Sequence, residues 1–319
     1  MKRSQLPPEP VSSYVVPQLR IVYVRTPKAA CTSLKWLIAE LNGEDPQHFR
    51  GSVLPEIARS TTIHRRALWQ KTPSLHDLSD DDLAAVDPES WFIFGVVRHP
   101  AGRVWSAWQS KLLLQERRYM TRFADESWLP SVPASTSDVQ EDFRRFVLAL
   151  RGPSGARILR DPHFRPQAHM LTPEITPYRR IYRTAQMQEL MADLREHTRA
   201  QDGPPLPDLV ASNDTPLRPL SATFTDDVVE VLEEVYADDL KSFGFDSGRP
   251  DNALAASEYE PSQLAEIDRL IERSHRVGDL ADHAQQLQRR NRRLAARVRK
   301  LEAQVGRSRG DRRRRRTAK

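Results

Sequence analysis

A single cysteine, Cys31, stands among 319 residues, so no intramolecular disulfide can form, and the chain suits a reducing compartment. No stretch approaches the ~20 consecutive apolar residues that a membrane-spanning helix needs. The opening MKRSQLPPEP turns to proline and polar residues where a secretory signal would be apolar. These absences lead us to expect a cytoplasmic protein, at most peripheral to a membrane. The body carries no internal repeat. No cluster of His, Cys, Asp and Glu has metal-ligand spacing, so no metal is expected. The pattern GxxxxGK[ST] is also missing, which weakens a reading as an ATPase or ordinary kinase.

What is present begins with charge. Hydrophobic residues make up 39%, charged residues 29%, and mean hydropathy is −0.63, the balance of a globular body with a polar extension. The length suits one α/β domain of about 250 residues plus an appendage. The net charge of +6 hides an asymmetry: residues 289–319 hold 15 Lys/Arg against 2 Asp/Glu, a net of +13, which leaves 1–288 at −7. The pI of 9.6 therefore belongs to the tail, and whole-chain charge does not argue for a nucleic-acid-binding fold.

Residues 1–18 read as a proline-rich flexible leader. The runs 19–24 (LRIVYV) and 91–97 (WFIFGVV) read as buried strands, and 179–182 as a further one. Helical spacing marks 32–40, 103–118, 138–150, 184–197 and 225–243, the last stopped at Gly244. Residues 42–90 are mixed, and 202–220 form a proline-rich loop. Strands alternating with helices predict an α/β fold, a P-loop-like parallel sheet flanked by helices, over residues 19–247. Beyond a linker and helix at 248–275, Val277, Ala284, Asn291, Val298 and Val305 recur every seven residues. Leu280, Leu287, Leu294 and Leu301 do so three residues further on. This a/d seam predicts a dimeric coiled coil at 276–306, with Asn291 setting its register. The run Arg312 to Arg316 marks 307–319 as a disordered basic tail able to touch an anionic membrane surface or polyanion.

Two segments carry the chemistry. Arg25-Thr26-Pro27-Lys28-Ala29-Ala30-Cys31-Thr32-Ser33 joins a strand to a helix, where unpaired backbone N–H groups and the helix dipole favour a phosphate. Lys28 adds a mobile cation, Thr32 and Ser33 add hydroxyls, and Ala29 and Ala30 let the backbone approach an anion. Arg98-His99-Pro100-Ala101-Gly102-Arg103-Val104-Trp105-Ser106 follows the second strand, and Arg98 and Ser106 could hold a separate phosphate. Two such sites suit a nucleotide with phosphates at both its 5′ and 3′ positions.

The first segment resembles the 5′-phosphosulfate loop of sulfotransferase family 2, in the Pro-Lys-x-Ala-Cys-Thr form of the Golgi chondroitin and dermatan type enzymes. Arg98, Pro100, Arg103 and Ser106 are similar to that family's Arg-x-Pro-x-x-Arg-x-x-Ser 3′-phosphate motif. His163-Phe164-Arg165-Pro166-Gln167 resembles its His-Trp-x-Pro-Gln segment, and Tyr236-Ala237-Asp238-Asp239-Leu240 with Phe243-Gly244-Phe245 its closing helix. The similarity spans about residues 19–246. The Golgi enzymes carry a membrane anchor and several cysteines, so the resemblance is to a soluble, bacterial-like member.

The resemblance implies in-line transfer of a sulfuryl group from 3′-phosphoadenosine 5′-phosphosulfate (PAPS) to a hydroxyl, with carbohydrate as the acceptor class. It implies that Lys28 neutralises charge on the bridging oxygen and that residues Ala29 to Ser33 hold the 5′-phosphate, flanked by Arg25 and Pro27. Arg98 and Ser106 would hold the 3′-phosphate, with Arg103 either joining them or forming a structural ion pair. His64 is the first choice of base, since related enzymes carry a histidine between the two motifs, and His76, His99 and His163 compete. Arg65, Arg66, Arg165 and Arg179 could meet an acidic sugar. The rival reading is a coiled-coil scaffold with a polyanion-binding tail and an inactive nucleotide-binding domain.

Overall fold

The computed structural model describes residues 1–8, 13–50, 62–209, 215–246, 248–250 and 252–317, with side chains as far as residue 302. Parts of the expected leader (9–12), of the mixed region (51–61) and of the proline-rich loop (210–214) lie outside the described residues. So do the side chains of the basic run and the last heptad position, Val305.

Four strands form the sheet in chain order: Ser13–Val16 (β1), Ile21–Val24 (β2), Phe92–Val97 (β3) and Arg180–Arg183 (β4). β2, β3 and β4 run parallel, and β1 pairs antiparallel with β2 at the edge. β2 and β3 are buried throughout, as continuous apolar runs in a sheet covered on both faces should be. β1 lies within the stretch whose prolines suggested a flexible leader. Its Ser-Tyr-Val-Val sequence suits a pleated surface, and its side chains alternate: Tyr14 and Val16 pack into one core, Val15 into the other.

The helices are Cys31–Leu41 (α1), Pro46–Arg50 (α2), Asp80–Ala84 (α3), Pro100–Trp108 (α4), Arg117–Arg122 (α5), Thr136–Arg151 (α6), Gly155–Leu159 (α7), Gln167–Leu171 (α8), Met187–Ala200 (α9), Asp226–Val235 (α10), Ala237–Phe243 (α11) and Pro261–Thr317 (α12). Leu34, Leu37 and Ile38 of α1, with Leu190 and Leu194 of α9, cover the face bearing Tyr23, Phe94 and Tyr182. Leu83 of α3 and Leu171 of α8 cover the opposite face with Val22, Ile93 and Val97. A third core joins α4, α6 and α10 through Trp105, Trp108, Phe143, Phe146 and Val228. α6 starts where a capping box forms: Ser135 Oγ accepts the Asp138 N–H, and the Asp138 carboxylate accepts the Ser135 N–H.

Three expected helices differ from the periodicity reading. The one at 103–118 is α4 extended by a π-helical turn, Gln109–Leu113, then broken at Gln115, whose φ is +49°. The one at 225–243 is α10 and α11, parted at Tyr236, whose ring is buried and whose hydroxyl donates to the Phe164 carbonyl at 2.6 Å. The end of the linker region, the heptads and the basic tail as far as Thr317 are one continuous helix, α12. Its start docks through the buried Ile267 and Ile271 and an ion pair from Arg117 to Asp279 at 2.7 Å. Beyond that, Leu280, Leu287, Leu294 and Leu301 are 45–60% exposed in a row. The backbone helix continues through the arginine run to Thr317, in keeping with the helix propensity of arginine. Among the described residues no helix is long and apolar enough to cross a membrane.

Candidate functional site

β2 and β3 end side by side, and the loops leaving them form the floor of the site. The first loop turns sharply because Lys28 and Ala30 adopt left-handed conformations, φ +69° and +54°, which non-glycine residues rarely hold without a reason. This turn sets Lys28 over the start of α1 with Ala29 fully buried beneath it. Lys28 Nζ donates to Ser110 Oγ at 3.1 Å. Burial and the charge of Lys111 pull the Lys28 pKa down to about 8. The Thr26 hydroxyl, completely buried in the same loop, has no hydrogen-bond partner among the described residues. Thr32 is buried at the first turn of α1, Arg25, Cys31 and Ser33 are half-buried, and Pro27 is buried.

The second loop is held by its backbone. The Arg98 N–H donates to Gln167 Oε1 at 2.9 Å, and Gln167 Nε2 donates back to the Arg98 carbonyl at 2.8 Å. The half-buried Arg98 guanidinium has no hydrogen-bond partner among the described residues, and burial and the charge of Arg103 lower its pKa. Pro100 opens α4, where a missing N–H costs nothing. Ser106, on the same helix, shares a hydrogen bond with the Thr215 hydroxyl at 3.1 Å. Arg98, Ser106 and the Lys28 loop thus lie beyond the carboxyl ends of the two central strands, β2 and β3.

Arg103 does something else. It is fully buried, and its guanidinium donates to the carbonyls of His163, at 3.1 Å, and of Arg165. Its ring neighbour is Tyr236, 6.0 Å from the guanidinium carbon. The buried carboxylate of Asp239 accepts from Gln167 Nε2 at 3.0 Å and from the Ala168 N–H at 2.7 Å. Three of the four sequence motifs are therefore one network: Arg103, Tyr236 and Asp239 clamp the 161–168 segment against α4.

The histidines separate cleanly. His64 faces both Thr32 Oγ1, at 2.9 Å from Nε2, and Lys35 Nζ, at 3.1 Å from Nδ1. The residue is exposed as a whole, yet its nitrogens turn inward. Burial there and the charges of Lys35 and Arg25 bring its pKa to about 2. Lys35 is buried under the Tyr14 ring, and its pKa falls to about 7 by burial and the charge of Arg25. His163 Nδ1 lies 2.8 Å from Asp161 Oδ1 and 3.0 Å from the Tyr119 hydroxyl. His99 Nε2 bonds the Asp246 carbonyl at 3.1 Å, and His76 belongs to a separate cluster with Arg3. Of the arginines considered for an acidic acceptor, Arg66 pairs with Asp77 at 2.8 Å, Arg165 bonds the Arg160 carbonyl, and Arg179 lies over Phe92. Arg65 is half-buried beside His64 in sequence.

Sequence reasoning missed Lys35, Ser110, Lys111, Asp161 and Tyr119. Ser110 and Lys111 reach the site because the π turn adds a residue to the helix, and π turns gather at functional sites. Its anchor is the buried Gln109, bonded through both amide atoms to the Leu217 backbone at 2.8 and 3.0 Å. Beside this floor, a cleft of about 410 Å³ opens between Val97, Tyr178, Arg180, Arg183 and Phe243. The site as a whole gathers Arg25, Lys28, Lys35, Arg98 and Lys111 around two strand ends. Its chemistry is that of a receptor for a multiply charged anion.

A family model described as "Sulfotransferase family" matches residues 12–246, a span that includes β1 and stops short of α12. No curated protein and no solved structure matches the chain.

Proposed function

The chain belongs to the sulfotransferase family and is an enzyme of sulfuryl transfer; from that premise we propose that it uses PAPS as donor and delivers the group in line to a carbohydrate hydroxyl. The observation that carries the donor assignment is the pair Lys28 and Arg98. Both are half-buried cations at adjacent strand ends, with no carboxylate partner among the described residues. A buried cation without a counter-ion is costly, and an anionic ligand removes that cost. The unpartnered Thr26 hydroxyl fits the same ligand.

In this reading the loop from Arg25 to Ser33 holds the 5′-phosphate with its N–H groups and hydroxyls, and Lys28 stabilises charge on the bridging oxygen. Arg98 and Ser106 hold the 3′-phosphate, which distinguishes the donor from ATP. Arg103 positions the loop carrying His163 and does not touch the ligand. When bound, the donor supplies the sulfuryl group and a bisphosphate leaving group. Positioning and electrostatics are the protein's main contributions, as in phosphoryl transfer. His64, the first choice of base from the sequence, instead ties the Thr32 hydroxyl to Lys35 and stiffens the phosphate loop.

Outside the catalytic body, we take α12 to pair with a second copy of the chain as a parallel coiled coil. The exposed seam of Leu280, Leu287, Leu294 and Leu301, with Asn291 at an a position, supports that pairing. The arginine-rich end supplies contact with a polyanion or anionic membrane surface. The test of the donor site is calorimetric titration with adenosine 3′,5′-bisphosphate beside Lys28→Ala and Arg98→Ala. Each charge-assisted contact is worth about 1.5–3 kcal/mol, so the double variant should bind roughly 10²–10⁴-fold more weakly. A folded wild type that does not bind would refute the donor assignment and bring the scaffold reading forward. Removal of residues 284–319, beyond the docked start of α12, should leave this binding intact and abolish self-association.

A further inference from the structure

We propose that His163, oriented by Asp161, takes the proton from the acceptor hydroxyl. The proposal rests on the sulfotransferase reading and names a residue for its least defined step.

The Asp161 carboxylate is buried at the end of the α7 segment. Oδ2 accepts from the Tyr119 hydroxyl at 3.0 Å and pairs with Arg122 at 3.2 Å, while Oδ1 accepts the His163 N–H at 3.0 Å. Burial works against its charge, yet its bonds and charge interaction with His163 and the Tyr119 bond outweigh burial and hold its pKa below the usual carboxylate range. An ionised carboxylate can only accept. The 2.8 Å contact therefore puts the proton on His163 Nδ1 and leaves the Nε2 lone pair for an incoming proton. The side chain is 30% exposed, so that lone pair is reachable. Arg103 fixes the segment from behind by bonding the His163 carbonyl.

The surroundings match the task. Asp161 and Tyr119 face the ring from its own loop and from α5, Lys111 from the π turn, Lys28 from the phosphate loop, and His64 from across the site. Burial and the two lysines outweigh the opposing pull of Asp161 and keep the pKa near 4, so the ring is neutral in the resting enzyme. A polyanion bound at Lys28 cancels much of that positive field and raises the proton affinity of the ring when transfer requires it. His64 has no equivalent lone pair. Its Nδ1 already faces Lys35 Nζ at 3.1 Å and its Nε2 faces Thr32 Oγ1 at 2.9 Å, so both ring nitrogens are engaged.

The step balances. As the acceptor oxygen bonds to sulfur, its proton passes to His163 Nε2. The bond from sulfur to the bridging oxygen breaks, and its electron pair stays with the 5′-phosphate beside Lys28. Asp161 neutralises the imidazolium that forms.

The test is carbethoxylation of the full-length protein by diethyl pyrocarbonate at about pH 5, where an ordinary imidazole is mostly protonated and unreactive, read by peptide mass spectrometry. His163 should be the fastest-reacting histidine, and adenosine 3′,5′-bisphosphate should change its rate. A silent His163, or a faster His64, would overturn the assignment. In parallel, release of labelled sulfate from PAPS to water provides a transfer readout that needs no acceptor. His163→Gln should lower that release roughly 10²-fold or more while bisphosphate affinity stays unchanged. Asp161→Asn should leave His163 reactive to the reagent but move the pH midpoint of sulfate release to more acid values. Release retained in His163→Gln also overturns the proposal. Failure of the wild type to bind the bisphosphate would overturn the donor reading beneath it instead.

Discussion

Replacement of Asp239 by Asn changes one oxygen to an amide nitrogen inside the clamp that links three separated motifs. The carboxylate is wholly buried and accepts two bonds, from Ala168 N–H at 2.7 Å and Gln167 Nε2 at 3.0 Å. An asparagine can satisfy only one of them. Its NH2 must face either Gln167 Nε2 or the Ala168 N–H, donor against donor. Gln167 cannot turn over to relieve the clash, because Oε1 and Nε2 already hold the N–H and carbonyl of Arg98. One buried donor left unpaired costs about 1–3 kcal/mol. The substitution also removes the negative charge that offsets the burial of Arg103. A buried guanidinium left without its offsetting charge costs about 3–5 kcal/mol. The two effects share atoms and do not add in full, so the expected loss is about 3–5 kcal/mol. At about 2–4 °C per kcal/mol for a domain of this size, Tm should fall by roughly 6–20 °C. Thermal unfolding followed by circular dichroism measures it. The neighbouring Asp238→Asn, whose carboxylate pairs with the exposed His169, is the control. A drop no larger than the control's would refute the clamp.

Three further outcomes follow from the geometry. The Lys28 pKa sits near 8 against an ordinary 10.5, and Lys35 is displaced in the same direction. The unfolded chain therefore binds more protons than the folded one in this range, and ligand-free stability should rise as pH climbs from about 7 to 10. Bisphosphate affinity should do the opposite, falling as Lys28 discharges, with proton uptake on binding near pH 8 that calorimetry in buffers of different ionisation enthalpy detects. Gly155→Ala places a Cβ 1.9 Å from the Leu150 carbonyl oxygen, so the α6–α7 junction must shift. A loss of about 1–3 kcal/mol is expected, read as a lower urea midpoint. Leu287→Glu with Leu294→Glu should convert a dimer to a monomer in light scattering without lowering bisphosphate affinity, since both side chains point away from the body.

The sequence by itself determined the strands β2 and β3, the helices that follow them, and the places of the two basic loops at their ends. Continuous β-branched runs bounded by Pro27 and Pro100 are local signals, and so are an arginine, a lysine and small residues at a strand-to-helix junction. The exposed leucine seam of α12 was equally plain as a seven-residue repeat. Tertiary structure decided the rest. β1 is too short and too close to prolines to stand out until β2 pairs with it. The π turn that delivers Ser110 and Lys111 arises because Gln109 is captured by Leu217, more than a hundred residues away. The motif leaves Arg103 open as a phosphate ligand or a structural ion pair, and the fold buries it against the carbonyls of His163 and Arg165. The ranking of the histidines was likewise beyond reach of spacing. A ring becomes a base or a strut according to which of its nitrogens is already bonded, and that depends on Asp161 for His163 and on Lys35 for His64. Patterns along the chain record burial and backbone preference, whereas protonation and direction belong to contacts that only folding creates.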